Sequence, residues 1–365
     1  MIVAMRALLA RAANSLFTLG AALQFLLLGA WIASRLATDG SPPTQYLFWI
    51  PAPAYFFGAL LLAPTGWRLA RKPARRILGL ITLAAPLIIA ITTLTVEWRL
   101  WRSRPDADSD AYRIVHWNCS YNPGNVWTKR LIELDPDLLV INPASFQPWE
   151  EILAHYRGGG ILFREGFAVL SKQRVRAFAV ISLNINPGMG IDPRSPDGIT
   201  SRVDRGRAVF LELEPPPGLS RPLIVWIIDL PSDLSLWRMR VARQAARAIR
   251  DFAGPIVRLD ADGRPSAEPW DSTGFPTPDF VLGDMNTPRG SASLREIVGS
   301  MPHAFDAAGR GPAWTWPARF PLTHLDHIFV SARFRPVDYQ ILDLGGGTHR
   351  GQLADVALES PSPSP

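Results

Sequence analysis

Three stretches without a charged side chain, at about residues 13–34, 46–66 and 77–96, dominate the start of this chain. Crossing the hydrocarbon core of a bilayer takes roughly 20 apolar residues in a helix, and each stretch is long enough. Residues 1–104 are therefore expected to form a membrane region of about three transmembrane helices, with the lipid bilayer as the first partner the sequence implies. The first stretch could alternatively be a signal peptide, because Arg6 and Arg11 precede it. Its long apolar core and the two spans that follow favour a retained helix. The spans carry no ionisable residue, so they read as an anchor and not as a transport path.

Basic residues set the expected orientation. Arg68, Arg71, Lys72, Arg75 and Arg76 lie between the second and third spans, whereas the first loop offers only Arg35, opposed by Asp39. The positive-inside rule then places the second loop and the N-terminus in the cytoplasm. Arg99, Arg102 and Arg104 after the third span pull mildly the other way. The expectation is a multi-pass protein of the cytoplasmic (inner) membrane with an extracytoplasmic C-terminal domain. The net charge of +6 belongs to this topology before it belongs to a nucleic-acid surface. Cys119 is the only cysteine, which excludes a disulfide within the chain.

After a polar linker at 105–111 the pattern changes to short strands alternating with helices. Strands are expected at Tyr112–Trp117, Leu138–Ile141, Phe167–Leu170, Ala177–Leu183, Ala208–Leu213, Leu223–Ile228, Phe280–Leu282, Ile328–Val330 and Tyr339–Leu342. Helices are expected at Val126–Leu134 and Leu236–Phe252, the second with apolar residues at helical spacing and arginines opposite. Asn186–Arg205 and Asp260–Pro278 read as long loops, and 359–365 as a disordered Ser-Pro tail. Many strands and few helices suggest an α/β sandwich, two packed sheets with helices outside, spanning 112–358.

Polar residues gather at the strand ends. Asn118 ends the first strand, Asp284 and Asn286 end the strand at 280–282, Asp326 precedes the strand at 328–330, and His349 lies near the end of the domain. Each alone is an ordinary turn or surface residue. Four separate sources of carboxylate, amide and imidazole are what phosphate-ester hydrolysis needs. A hard divalent cation takes oxygen ligands, and a histidine beside an aspartate can be held in one tautomer and stabilised when charged.

These residues sit within Arg113-Ile-Val-His-Trp-Asn118, Phe167-Ala-Val-Leu-Ser-Lys172, Gly283-Asp-Met-Asn286, Thr315-Trp-Pro317 and Leu325-Asp-His-Ile-Phe-Val-Ser331, followed by His349. In order and spacing they resemble the endonuclease/exonuclease/phosphatase superfamily, the DNase I-like fold, and most of all its membrane-anchored bacterial branch. The resemblance implies a four-layer α/β/β/α sandwich and Mg²⁺- or Mn²⁺-dependent hydrolysis of a phosphodiester or phosphomonoester; no obligate protein partner is inferred. It assigns Asn118 to phosphate or metal, Asp284 to the metal and the attacking water, and Asn286 to phosphate. Asp326 would pair with His349, which would stabilise the transition state.

Three positions depart from that pattern. Pro143 stands where the family has a metal-binding glutamate, Asp229 where it commonly has a histidine, and Thr348 where it has an aspartate. Asp229 is either a replacement carboxylate near the metal or a polar strand end. A second reading follows: a catalytically degenerate member that serves as a membrane-tethered binding or scaffold domain. Cys119, on the opposite face of its strand from His116 and Asn118, is expected to be a buried inert thiol.

Overall fold

The computed structural model describes residues 2–103, 110–119, 127–143, 149–185 and 205–358. The expected loop at Asn186–Arg205 lies almost wholly outside these residues, as do most of the linker and all of the tail. The chain divides into two compact units, Met1–Trp101 and Arg102–Pro365.

In the first unit α1 (Ile2–Ala37), α2 (Pro42–Trp49), α3 (Ala52–Ala70) and α4 (Arg76–Thr92) follow in order. Ala4–Ala37 and Arg76–Glu97 are each long and apolar enough to cross a membrane. The second stretch is not the single helix expected: α2 and α3 meet at 78°. Pro51 and Pro53 explain the break, because proline lacks the N–H a helix needs and drives its predecessor to extended backbone. Ile50 is indeed extended, at φ −67° and ψ 119°. The unit therefore holds two candidate spans, or three if the bent pair counts as one. α3 and α4 meet through small residues, and a Cβ on Gly79 would lie 2.6 Å from the Gly66 carbonyl oxygen.

The second unit opens with β1 (Tyr112–Asn118), α5 (Trp127–Leu134), β2 (Leu138–Asn142), α6 (Glu150–His155), β3 (Gly160–Arg164), β4 (Phe167–Ser171), β5 (Val175–Ser182) and β6 (Arg207–Leu213). It continues with β7 (Leu223–Asp229), α7 (Arg238–Arg250), β8 (Ile256–Leu259), β9 (Pro265–Glu268) and β10 (Phe280–Asp284). α8 (Leu294–Val298), α9 (Ala304–Ala308), β11 (Asp326–Val330), β12 (Phe334–Leu342) and β13 (Gly351–Leu358) complete it. One sheet runs β12-β13-β1-β2-β4-β3 and the other β11-β10-β7-β6-β5-β8-β9. The unit is thus mixed α/β with two sheets. Part of the expected loop at Asp260–Pro278 is strand: β9 pairs with β8 as a hairpin at the edge of the second sheet.

Apolar side chains from the inner faces of both sheets meet in one cluster that includes Ile114, Leu138, Val140, Val225, Phe280 and Leu282. The outer face of the second sheet packs on α7 and α8 through Phe210, Val281, Val241 and Ala245. That of the first packs on α5 and α6 through Val115, Leu139, Leu131 and Ile152. Strand alternation explains the division, since successive residues of β1, β2 and β10 feed opposite faces. On α7 most arginines lie away from the sheet, but Arg238 is fully buried and donates to the carbonyls of Pro231 and Asp233.

Phe280 anchors the inter-sheet core. Its ring stacks on Tyr112 at 5.9 Å and lies 4.7 Å from Phe334. Phe280→Ala would remove that volume from a rigid layer, and a loss of about 3–5 kcal/mol is expected in chemical denaturation of the detergent-solubilised chain.

Candidate active site

Both sheets end at the same rim, and the polar strand ends meet there. Asn118 closes β1 and pairs in register with Asn142, which closes β2. Asp284 closes β10 directly opposite Asp326, the first residue of β11. His349 lies two residues before β13, the neighbour of β1. The first sheet thus supplies Asn118 and His349, and the second supplies Asp284 and Asp326, across the seam between them.

The contacts are close. Asn118 Nδ2 donates to Asp284 Oδ2 at 2.6 Å. His349 Nδ1 is hydrogen-bonded to Asp326 Oδ2 at 2.8 Å, and its Nε2 lies 3.8 Å from Asp284 Oδ2. Trp117 Nε1 donates to the His349 carbonyl at 3.1 Å and fixes that loop. Thr315 Oγ1 accepts the backbone N–H groups of Leu325 and Asp326 at 3.1 and 3.3 Å. All four site residues are buried, Asp326 completely.

Asp284 owes its position to Gly283, whose φ is +139°. That backbone is in the region which favours glycine. A Cβ at residue 283 would also lie 1.9 Å from the Ile228 carbonyl oxygen of the neighbouring β7. Gly283→Ala is expected to cost at least about 2 kcal/mol in denaturant unfolding, by combining backbone strain with separation of the strands that carry the site.

Burial and charge act in opposite directions on these groups. Desolvation, then repulsion from Asp326, raises Asp284 to about 7 against the pull of His349. Desolvation also draws His349 down, but the charges of Asp326 and then Asp284 outweigh it and hold the imidazole up at about 9. For Asp326, desolvation is outweighed by His349, and its pKa is lowered. At neutral pH His349 is therefore an imidazolium locked by Asp326, while Asp284 sits near its titration point.

Not every expected residue joins this centre. Asn286 carries φ +46°. Its backbone N–H donates to Asp284 Oδ1 at 2.9 Å and its Nδ2 donates to the Leu230 carbonyl at 2.8 Å, so it positions Asp284 and ties β10 to the end of β7. Asp229 faces Arg207 at 3.4 Å, and its charge is the last of the causes that hold the His349 imidazole up. Among the described residues, the close carboxylate-imidazole group consists of Asp284, Asp326 and His349. Thr348 is exposed and accepts the Ala318 N–H through its carbonyl. Pro143 brings no side-chain donor, and its carbonyl faces the buried Cys119 thiol at 3.0 Å.

Behind the centre lies a polar network that sequence reasoning did not anticipate. His116 is buried on the site side of β1 and bridges Asn142 at 2.7 Å and Gln352 at 3.0 Å. The Gln352 amide also reaches the Asp326 carbonyl, the His327 N–H and the Tyr339 hydroxyl. Tyr339 in turn contacts His324 at 3.2 Å. Burial is the first cause that lowers the pKa values of His116, His324 and His327, the last to about 4, so these rings are neutral. The period-two placement of His116 beside Asn118 was the one sequence signal available.

The donor set can accept a hard divalent cation, but only a lightly held one. Two buried carboxylates face one imidazolium, and Asp326 Oδ1 is buried without a hydrogen-bond partner. This excess of oxygen donors and negative charge suits a cation at Asp284, with the Asn118 amide beside it. Mg²⁺ commonly uses only one or two protein carboxylates and completes its shell with water and substrate phosphate.

Residues 74–362 match the model of the Endonuclease/Exonuclease/phosphatase family. No curated protein matches the chain. Among solved structures, the endonuclease/exonuclease/phosphatase from Bacteroides vulgatus is 17% identical, with a TM-score of 0.45 over 69% of this chain and 100% of its own. A family protein from Bacteroides thetaiotaomicron is 11% identical, with a TM-score of 0.45 over 70% of this chain and 100% of its own. D. rerio TDP2 complexed with single strand DNA product is 15% identical, with a TM-score of 0.43 over 68% of this chain and 100% of its own.

Proposed function

The chain belongs to the endonuclease/exonuclease/phosphatase family, and from that premise we propose that it is a membrane-anchored, metal-dependent phosphoesterase. Residues 1–104 are the anchor, 112–358 the DNase I-like four-layer catalytic domain of the membrane-anchored bacterial branch, and the domain faces outward from the cytoplasmic membrane. The observation that carries the reading is the His349–Asp326 pair set 3.8 Å from Asp284, bridging the two sheets. A surface histidine with a structural role has no need of two buried carboxylates.

Asp284 and Asn118 would hold the divalent cation, Mg²⁺ or Mn²⁺, which when bound neutralises charge on the phosphoryl oxygens. The chain's own groups do the rest. Asp284 orients a water and accepts its proton. His349, protonated and fixed by Asp326, donates a hydrogen bond to the charge that develops on the phosphate. Asn286 holds Asp284 through its backbone N–H, and the second N–H of its amide nitrogen would be the donor left for the phosphate. The substrate is a phosphate ester of nucleic acid, lipid or small-molecule type.

Pro143 and the Asp229–Arg207 pair support a second reading, a degenerate member that keeps the cleft as a membrane-tethered binding domain. Calorimetric titration of the full chain in detergent with Mn²⁺, with and without inorganic phosphate, separates the two. The enzyme reading expects weak binding that phosphate strengthens and that Asp284→Asn abolishes. Absence of binding in both titrations favours the scaffold. Protease accessibility in sealed vesicles tests the orientation: digestion of the C-terminal domain from the cytoplasmic side alone would contradict it.

A further inference from the structure

His303, His324 and His327 form a second titratable cluster, separate from the candidate active site. All three are buried. One ring nitrogen of each lies within 4.8 Å of the others. Their ring centroids mark a near-equilateral triangle with sides of 5.1, 5.2 and 5.2 Å. A tetrahedral centre with nitrogens at about 2.0–2.1 Å spaces its imidazole rings about 5 Å apart, so the triangle already has the dimensions of a three-histidine site.

The far side of the cluster is also prepared. His327 Nε2 is hydrogen-bonded to the Thr287 carbonyl at 2.8 Å, which directs Nδ1 inward. His324 Nε2 contacts the Tyr339 hydroxyl at 3.2 Å, and its Nδ1 is buried with no hydrogen-bond partner. Outer partners of this kind orient metal-ligating histidines. His303 Nε2 now lies 3.0 Å from His327 Nδ1, and its Nδ1 accepts the Phe305 N–H at 3.1 Å. Loading would replace the His303–His327 hydrogen bond by one metal–nitrogen bond from each ring, with the His303 proton moving from Nε2 to Nδ1 in place of the Phe305 N–H contact. A cavity of about 590 Å³, lined by Arg289, Ser291, Met301, Asp306 and Phe329, touches the cluster at His303.

We propose that His303, His324 and His327 form a binding site for a borderline transition-metal ion, Zn²⁺ by preference. Neutral imidazoles select Zn²⁺, Co²⁺, Ni²⁺ or Cu²⁺ and are poor ligands for Mg²⁺, so this site and the oxygen-rich one at Asp284 take different ions. His327 directly follows Asp326, so the bound ion would brace the backbone that holds the partner of His349.

The test is a titration of the full chain in detergent, carrying no polyhistidine tag, with Co²⁺ followed by Zn²⁺. One equivalent of Co²⁺ giving the intense visible absorption of a tetrahedral centre, displaced by Zn²⁺, is expected. Affinity should fall at least about 100-fold in His324→Gln and stay unchanged in Asp284→Ala. No tetrahedral signal, a signal that survives His324→Gln, or one lost in Asp284→Ala would overturn the proposal. If His324→Gln does not fold, X-ray absorption of the Zn²⁺-loaded wild type decides. Three imidazoles in the shell support the site, and fewer than three overturn it.

Discussion

His349→Ala is expected to lower phosphodiester turnover about 10³-fold, close to 4 kcal/mol of transition-state stabilisation. The imidazolium is pre-charged and pre-aimed: Asp326 fixes Nδ1 at 2.8 Å, leaving Nε2 to face the reacting group. Removing it also leaves Asp326 buried without its counter-charge, so some loss of stability should accompany the loss of rate. Turnover should rise as Asp284 ionises near 7, hold while His349, raised from 6.5 to about 9, keeps its proton, and decline above about 9. The linkage has the same sign: the stability this group contributes is fully present below 6.5 and is lost as pH rises through about 9. A pH–rate profile measured beside a pH series of denaturation curves checks both limbs.

Asp284→Asn should move activity and stability in opposite directions. Turnover is expected to fall at least about 10²-fold, since the amide cannot take a proton from water. Stability of the chelator-treated protein at pH 8 should rise by about 2 kcal/mol. Folding raises the Asp284 carboxyl from 3.8 to about 7, mainly through desolvation and then Asp326. The folded state therefore prefers the protonated form, and stability is lost as pH rises from below about 4 to above about 7. A shift of roughly 3 units, already net of the attraction to His349, corresponds to on the order of 4 kcal/mol, an upper bound on the gain. Asparagine keeps the shape and removes the charge, with the Asn118 amide turning to present its oxygen. The gain should shrink towards pH 5 and vanish below about 4. An equal gain at pH 5 and pH 8, or a loss at both, would show that Asp284 is not held against its ionisation.

The sequence carried the architecture wherever one physical signal dominated. The unbroken apolar runs at Leu138–Ile141 and Phe280–Leu282 became strands buried on both faces, because no polar residue interrupts them. Strand β13 escaped notice because it follows Gly345-Gly346-Gly347 and carries Gln352 and Asp355, which read as loop until their partners in β1 and β12 satisfy them. The edge strand β9 hid in a segment of Pro, Gly and Asp for the same reason: edge strands need pairing more than pattern. The uncharged stretch at 46–66 showed its length but not its bend, since hydropathy is blind to the backbone demands of Pro51 and Pro53. At the site, the strand-end positions of Asn118, Asp284 and Asp326 were visible as motif residues. Their distances were not, and neither were Gln352, Thr315 and the histidines behind them, because some of those contacts, such as His116 to Gln352, join the two ends of the domain, and others, such as Thr315 to Asp326, depend on how a loop closes. The engagement of Asp229 by Arg207 needed the β6–β7 register to be seen.

The central claim is that Asp284, Asp326 and His349 form a working phosphoesterase centre despite Pro143. It is tested most directly by steady-state hydrolysis of bis(p-nitrophenyl) phosphate by the detergent-solubilised full chain, with Mg²⁺, with Mn²⁺ and with chelator, beside His349→Ala and Asp284→Ala. The account predicts metal-dependent turnover that chelator removes and that both variants lose. Turnover unaffected by chelator and by both substitutions, or no turnover with either metal, would contradict it.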